Sequence, residues 1–146
     1  MQAYDARRIA SELMEQHGLT HWTFTFTTNK QRVGVCKYGD RTIGVSREFL
    51  SGMTEHNLRM VLLHEIAHAL VGRGHAHDET WRSMCRRIGG DAKVSQSLSL
   101  PKEAYKWIAR CAVSGAELGR VHRRGKRLAT ASCKCHRTPI RWVETR

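Results

Sequence analysis

The stretch HEIAHALVGRGHAHDETW, residues 64–81, sets four histidines and three acidic side chains in a run that otherwise reads as helical core. Burying imidazole and carboxylate groups is costly unless something pairs them, and a metal ion is the usual partner. His64 and His68 stand four residues apart. On a helix that spacing leaves them about 40° apart around the axis, so both rings can reach one ion. Glu65 sits beside the first histidine, where its carboxylate can reach a water on that ion without being a ligand. This is the HExxH pattern of zinc hydrolases: the metal acidifies a water, the glutamate takes its proton, and the metal polarises the attacked carbonyl. A catalytic zinc needs a third protein ligand and an open fourth position. Beyond a glycine turn, His75 and His77 are both available for it.

The elements that must hold these groups can be read on either side. Thr54 is an N-cap for a long helix carrying Leu58, Val61, Leu62, Ile66 and Leu70, which Gly72 and Gly74 end. Asp78 or Thr80 can cap a further helix, ETWRSMCRRIGG, on which Cys85 is read as packing. Upstream, YDARRIASELMEQHG places Ile9 and Leu13 with the small Ala6 and Ala10 on one side, an amphipathic helix stopped by Gly18. HWTFTFTT alternates strictly, with Trp22, Phe24 and Phe26 on one face and threonines on the other, a half-buried strand. RVGVCKYGDRTIGVS reads as two strands around a turn at Gly39–Asp40, with Cys36 as a buried structural thiol inside the hairpin.

At VLLHEIAHALVGRGHAHDETWRSMCRRIG the chain resembles the SprT-like metalloprotease family, including its Spartan type. That family pairs HExxH with a downstream histidine followed four residues later by an aromatic on a helix. His77 and Trp81 keep this spacing, whereas Glu79 stands four residues after His75. The resemblance therefore implies His64, His68 and His77 as zinc ligands and Glu65 as catalytic base. Trp81, an aromatic on a helix, is expected to pack beneath the site. Asp78 replaces the glycine common after that histidine. The order of an N-terminal helix, three strands and the metal helix also resembles the family, over about residues 5–90. What it implies is an α+β, zincin-like domain with a three-stranded antiparallel sheet.

Many SprT-like proteins end in a zinc ribbon with two CxxC knuckles. This chain offers Cys111 with Ser114 where a second cysteine is expected, then Cys133, Cys135 and His136 in SCKCHR. With His122 supplying a missing ligand, Cys111, His122, Cys133 and either Cys135 or His136 form a candidate site for a second zinc. The segments YKWIARCAV, KRLATASCKC and PIRWVET read as short strands of this appendage. With DAKVSQSLSLP as a linker, the expected organisation is a metalloprotease-like domain over 1–92 and a basic, zinc-ribbon-like segment over 101–146.

Charge is divided just as unevenly. The net charge is +12. Residues 1–100 carry 13 basic and 10 acidic side chains, and residues 101–146 carry 12 basic and 3 acidic. A basic segment of this kind suggests a polyanion partner, nucleic acid ahead of membrane. Arg120, Arg123, Arg124, Lys126, Arg127, Lys134 and Arg137 are the candidate phosphate contacts, with Arg123 to Arg127 expected in a loop. Their binding to DNA would be insensitive to base sequence. No stretch approaches the roughly 20 apolar residues of a membrane span, and the first residues lack a signal-peptide apolar block. Five cysteines fit free thiols or metal ligands better than disulfides, so a cytoplasmic protein is expected.

Three functions compete. One is a zinc-dependent endopeptidase acting on DNA-associated proteins, and the second is a catalytically silent DNA-binding zinc protein. The third is an HNH-type nuclease. HNH sites set their histidines on a ββα hairpin, which a long apolar helix carrying HExxH opposes. An intact Glu65 opposes the silent reading, because a purely structural site has no use for that base.

Overall fold

The computed structural model describes residues 1–95, 98 and 100–145. Gln96, Ser97 and Ser99, which fall in the expected linker, lie outside the described residues, as does Arg146. The chain divides into two compact units, Met1–Ser99 and Leu100–Arg146. Among the described residues no helix is long and apolar enough to cross a membrane.

The first unit begins with α1 (Ala3–Gln16), which buries Ala6, Ile9, Ala10, Leu13 and Met14 as its periodicity demands. Three short strands follow: β1 (Thr23–Thr27), β2 (Gly34–Lys37) and β3 (Thr42–Ser46). The hairpin around Gly39–Asp40 forms, with β2 antiparallel to β3. The expectation of a wholly antiparallel sheet is corrected in the other pair. The strand order is β1-β3-β2, and β1 runs parallel to β3. The reason lies in β3. Every residue of Thr42–Ser46 is buried, so this strand needs a neighbour on each edge. Its tight turn already fixes β2 on one side, and β1 closes the other. Gly44 is pinched between them, since a Cβ there would stand 2.9 Å from Val35 and 3.0 Å from Thr27. Phe24 and Phe26 share a face as the alternation requires, their ring centroids 5.1 Å apart.

A 3-10 segment (Arg47–Gly52) leads to α2 (Glu55–Val71), where Thr54 accepts the Asn57 N–H as N-cap and Gly72 ends the helix at φ 81°. The middle of α2 is buried on all sides, from Leu58 through Val61–Ala67, because the helix packs against α1, β2, β3 and α3. α3 (Glu79–Arg87) is capped by Asp78, whose carboxylate accepts the Trp81 N–H. Trp81 and Cys85 are its buried residues and pack with Ala67 of α2.

The second unit is a three-stranded antiparallel sheet of order β5-β4-β6, with β4 (Trp107–Cys111), β5 (Glu117–Val121) and β6 (Ile140–Glu144). The strands expected in YKWIARCAV and PIRWVET form. The one expected in KRLATASCKC does not: a short helical turn α4 (Lys126–Ala129) occupies its start and a tight loop the rest. β5 fills the sheet instead. Glu117–Gly119 are exposed and Gly119 interrupts any apolar alternation, so the strand left no pattern to read.

Candidate active site

One turn of α2 carries His64, Glu65 and His68, and the turn into α3 delivers His77. The Nε2 atoms of His77 and His64 are 3.0 Å apart, and those of His77 and His68 are 3.1 Å apart. A tetrahedral zinc with nitrogen ligands has N···N edges of about 3.3 Å, so the three rings converge at the right scale for one ion. His64 Nδ1 lies 3.0 Å from the Lys93 carbonyl, which can only accept. Nδ1 therefore carries the proton and Nε2 presents its lone pair to the centre. A proton on His77 Nε2 could serve one of its two short contacts, never both. A cation at the centre satisfies all three rings, and the donor set fits zinc.

The backbone brings His77, and not His75, to the other two histidines. His77 takes the left-handed conformation, φ 57°, with its N–H donating to His75 O at 3.1 Å. Such a conformation is strained for a side chain of this size and is held only where the surroundings demand it. The same tight turn sends His75 outward, where its Nδ1 lies 2.8 Å from Asp78 Oδ2. Asp78, in extended geometry, serves both as N-cap of α3 and as partner of His75. Its replacement of glycine thus leaves the path of His77 intact.

Trp81 is the floor of the centre. It is wholly buried, stacks on His68 at 5.2 Å between centroids, and meets His64 and His77 edge-on at 4.7 and 4.5 Å. Its indole N–H donates to the His64 carbonyl at 3.3 Å, tying α3 to the metal helix. Burial holds all three imidazoles below the ordinary histidine range, His68 at about 4. They are therefore neutral, the form that ligates. Burial pushes the Glu65 carboxyl the other way, up to about 7, with Arg32 opposing the rise.

The centre opens on a cleft of about 410 Å³. Its wall includes residues that sequence reasoning did not assign: Arg32, Gly34, Cys36 and Tyr38 from β2 and its approaches, and Val94 and Ser95 opposite in chain order. Cys36, expected as a buried structural thiol, is only half-buried and lines this cleft. β2 is an edge strand, so its inner face borders the cleft instead of a closed core. Burial and then Glu65 push the Cys36 thiol up to about 12, which keeps it protonated and unreactive. The period-two spacing of Gly34, Cys36 and Tyr38 was the available signal, but nothing in it pointed to a cleft.

In the second unit, Cys111, Cys133, Cys135 and His136 bring their ligand atoms within 4.8 Å of one another. His122 is not in that group; its ring stacks on Tyr105, centroids 4.7 Å apart. Of the seven basic candidates, Arg123, Arg124, Lys126, Arg127, Lys134 and Arg137 are exposed. Arg120 is not equivalent: only 20% of its side chain is exposed and it forms a two-pronged pair with Glu117 at 2.7 and 3.0 Å. Arg123 to Gly125 form a loop as expected, whereas Lys126 and Arg127 open α4. The Arg124 guanidinium lies over the Trp107 ring, 3.7 Å from its centroid.

A model of the SprT-like family matches residues 5–104. No curated protein sequence matches the chain. Among solved structures, the chain is similar to the crystal structure of the metallopeptidase zymogen of Methanocaldococcus jannaschii jannalysin. The TM-score is 0.50 and the identity 15%, over 59% of this chain and 83% of that one. At that identity the likeness speaks for the fold alone.

Proposed function

The chain belongs to the SprT-like family, and from that premise we propose that it is a zinc-dependent endopeptidase acting on DNA-associated proteins. The observation that carries the reading is the convergence of three Nε2 atoms at 3.0 and 3.1 Å beside a buried carboxyl on the same helix, at the head of an open cleft. The second-unit group, Cys111, Cys133, Cys135 and His136, includes no carboxylate that could act as a base.

His64, His68 and His77 would hold the zinc, leaving a fourth position toward the cleft. Bound zinc supplies a Lewis acid there and lowers the pKa of a coordinated water to about 7. Glu65 is the general base: its carboxylate accepts the proton of the attacking water and, once protonated, returns it to the departing amine nitrogen. A carboxyl held near 7 suits both halves of that exchange at neutral pH. The Lys93 carbonyl and Trp81 are positioning groups. The first fixes the His64 tautomer, and the second keeps the three rings from rotating out of register.

DNA association is supported by the charge of the C-terminal residues and by the exposure of Arg123, Arg124, Lys126, Arg127, Lys134 and Arg137, six of the seven candidate phosphate contacts. A cytoplasmic setting is supported by five cysteines of which none is paired in a disulfide.

The test is Glu65→Gln. Zinc should stay bound, while hydrolysis of an unfolded protein in the presence of DNA falls by roughly two to four orders of magnitude. Wild-type protein that binds zinc and DNA but cleaves nothing would make the silent DNA-binding reading the better one.

A further inference from the structure

Two loops of the second unit share one backbone design. In the first, Cys111 N–H donates to Ala116 O at 2.9 Å, Gly115 N–H donates to Cys111 O at 2.9 Å, and Gly115 has φ 74°. In the second, Cys133 N–H donates to Thr138 O at 2.9 Å, Arg137 N–H donates to Cys133 O at 2.9 Å, and Arg137 has φ 52°. The loops therefore correspond residue by residue, Cys111 with Cys133 and Ser114 with His136. A tetrahedral ion held between two such loops would take its ligands from these four positions. Ser114 breaks the set, since a neutral hydroxyl is not a zinc ligand. It is turned to its own loop instead: its N–H donates to Cys111 Sγ at 3.4 Å and its hydroxyl accepts the Ala116 N–H at 3.3 Å.

The opposite loop carries one thiol more than the design needs. Cys135 precedes His136, and its sulfur joins those of Cys111 and Cys133 and the His136 ring within the 4.8 Å group. We propose that the second unit binds a structural zinc through Cys111, Cys133, Cys135 and His136, the Cys135 thiolate taking the place that Ser114 cannot fill. One ligand has moved from the first loop to the second.

The separations fit. Cys111 Sγ lies 3.7 Å from Cys133 Sγ and 3.3 Å from His136 Nδ1. The edges of a tetrahedral zinc site with sulfur ligands are about 3.8 Å, slightly less to nitrogen. A disulfide would need its sulfurs at about 2.05 Å. Donors also point at the sulfurs, as thiolate ligands require: the Ser114 N–H toward Cys111, and the Thr138 hydroxyl 3.5 Å from Cys133. Four protein ligands close the site to substrate, which makes it structural. The unit has reason to need it. Besides the buried Cys111 and Cys133, its buried apolar residues among those described are Leu100, Ala104, Ile108 and Ala109, a small core for a fold of this length.

The site is lopsided. Cys111 and Cys133 are buried, whereas Cys135 and His136 are exposed. The transposed ligand is thus the leg open to solvent, where an oxidant or a chelator would first attack.

Cobalt(II) reports this site in the whole chain, because only thiolate ligation produces an intense near-ultraviolet charge-transfer band and the histidine centre has no thiolate. Wild-type protein should show that band, with zinc displacing cobalt. Losing an outer partner of a metal ligand weakens binding by about 10- to 100-fold, so Cys135→Ala, which loses a ligand, should weaken zinc at this site by more than about 100-fold. Adding Ser114→Cys to Cys135→Ala should restore the band and bring affinity back to within about tenfold of wild type. His122→Ala should change neither. No thiolate band in wild type, unaltered zinc affinity in Cys135→Ala, or no rescue by Ser114→Cys would each overturn the assignment. If Cys135→Ala does not fold, the doubly substituted chain decides alone: a folded, zinc-loaded product supports the transposition and an unfolded one refutes it.

Discussion

Gly34 and Glu65 are in contact across the cleft wall: a Cβ on Gly34 would stand 2.6 Å from Glu65 Oε1, 3.0 Å from its Cγ and 2.9 Å from Val61 Cγ1. No real Cβ sits that close, so the absent side chain of Gly34 is what lets the base lie against β2. Gly34→Ala should displace Glu65 without touching the histidines. Steric intrusions of this size cost about 1–3 kcal/mol. The expected outcome is a stable protein with full zinc content and peptidase activity lowered at least tenfold, mostly in kcat. Zinc analysis beside steady-state kinetics checks it, and unchanged kcat would show that Glu65 does not depend on this neighbour.

His75 and His77 differ in what holds them, and this separates their variants. His77→Ala removes a converging nitrogen and should cost most of the bound zinc. His75→Ala removes only the partner of Asp78, an exposed pair of little worth. Zinc retention after dialysis against a chelator measures the contrast. Equal retention in the two variants would return the third ligand to open choice.

The metal helix was legible in the sequence because its cues are local: the Thr54 cap, the Gly72 stop and a four-residue histidine spacing each act within one or two turns. The α1 face and the β2–β3 hairpin were legible for the same reason. What escaped was set by long-range pairing. The place of β1 beside β3 follows from β3 being buried on every residue, and alternation within HWTFTFTT carries no information about which neighbour it takes. Cys36 was misread because a thiol within a strand of a hairpin looks the same on a core strand and on an edge strand bordering a cleft. Arg32 escaped altogether, since an arginine in a polar turn has no periodicity to mark it.

Glu65 and His68 give the metal-free protein opposed responses to pH. The folded-state pKa of Glu65, about 7, lies above its ordinary 4.5. Its contribution to stability is therefore present below 4.5 and is lost as pH rises through 7. The folded-state pKa of His68, about 4, lies below its ordinary 6.5. That contribution is present above 6.5 and is lost as pH falls through 4. His64 and His77, also held below their ordinary range, act in the same direction as His68, so the carboxyl's opposite response is read by removing Glu65 alone. In chelator-treated protein, Glu65→Gln should gain stability over wild type as pH rises from 4.5 to 7, by roughly 2–3 kcal/mol. Urea unfolding at a series of pH values reads the difference directly. A gain that shrinks with rising pH would have the wrong sign for a buried carboxyl.

The basic residues of the second unit should act through phosphate, and their environments rank them. Arg123, Lys126, Arg127, Lys134 and Arg137 are exposed, and Arg124 lies over Trp107 while remaining exposed. Each that meets a phosphate releases a counterion and adds about 0.9 to the slope of log affinity against log salt. Reversing Arg123, Arg124 and Arg127 to glutamate should therefore lower that slope by about 3 and weaken binding alike on unrelated sequences. Arg120 provides the internal comparison. Its guanidinium is already neutralised by Glu117 and its side chain is largely covered, so Arg120→Gln should leave the slope unchanged. A fluorescence-anisotropy titration of duplex DNA at several salt concentrations separates these cases. If the triple reversal leaves affinity and slope where they were, the charge is a solubilising surface and DNA is held elsewhere or not at all. If Arg120→Gln costs as much as the reversals, the Glu117 pair opens on binding and the ranking by environment fails.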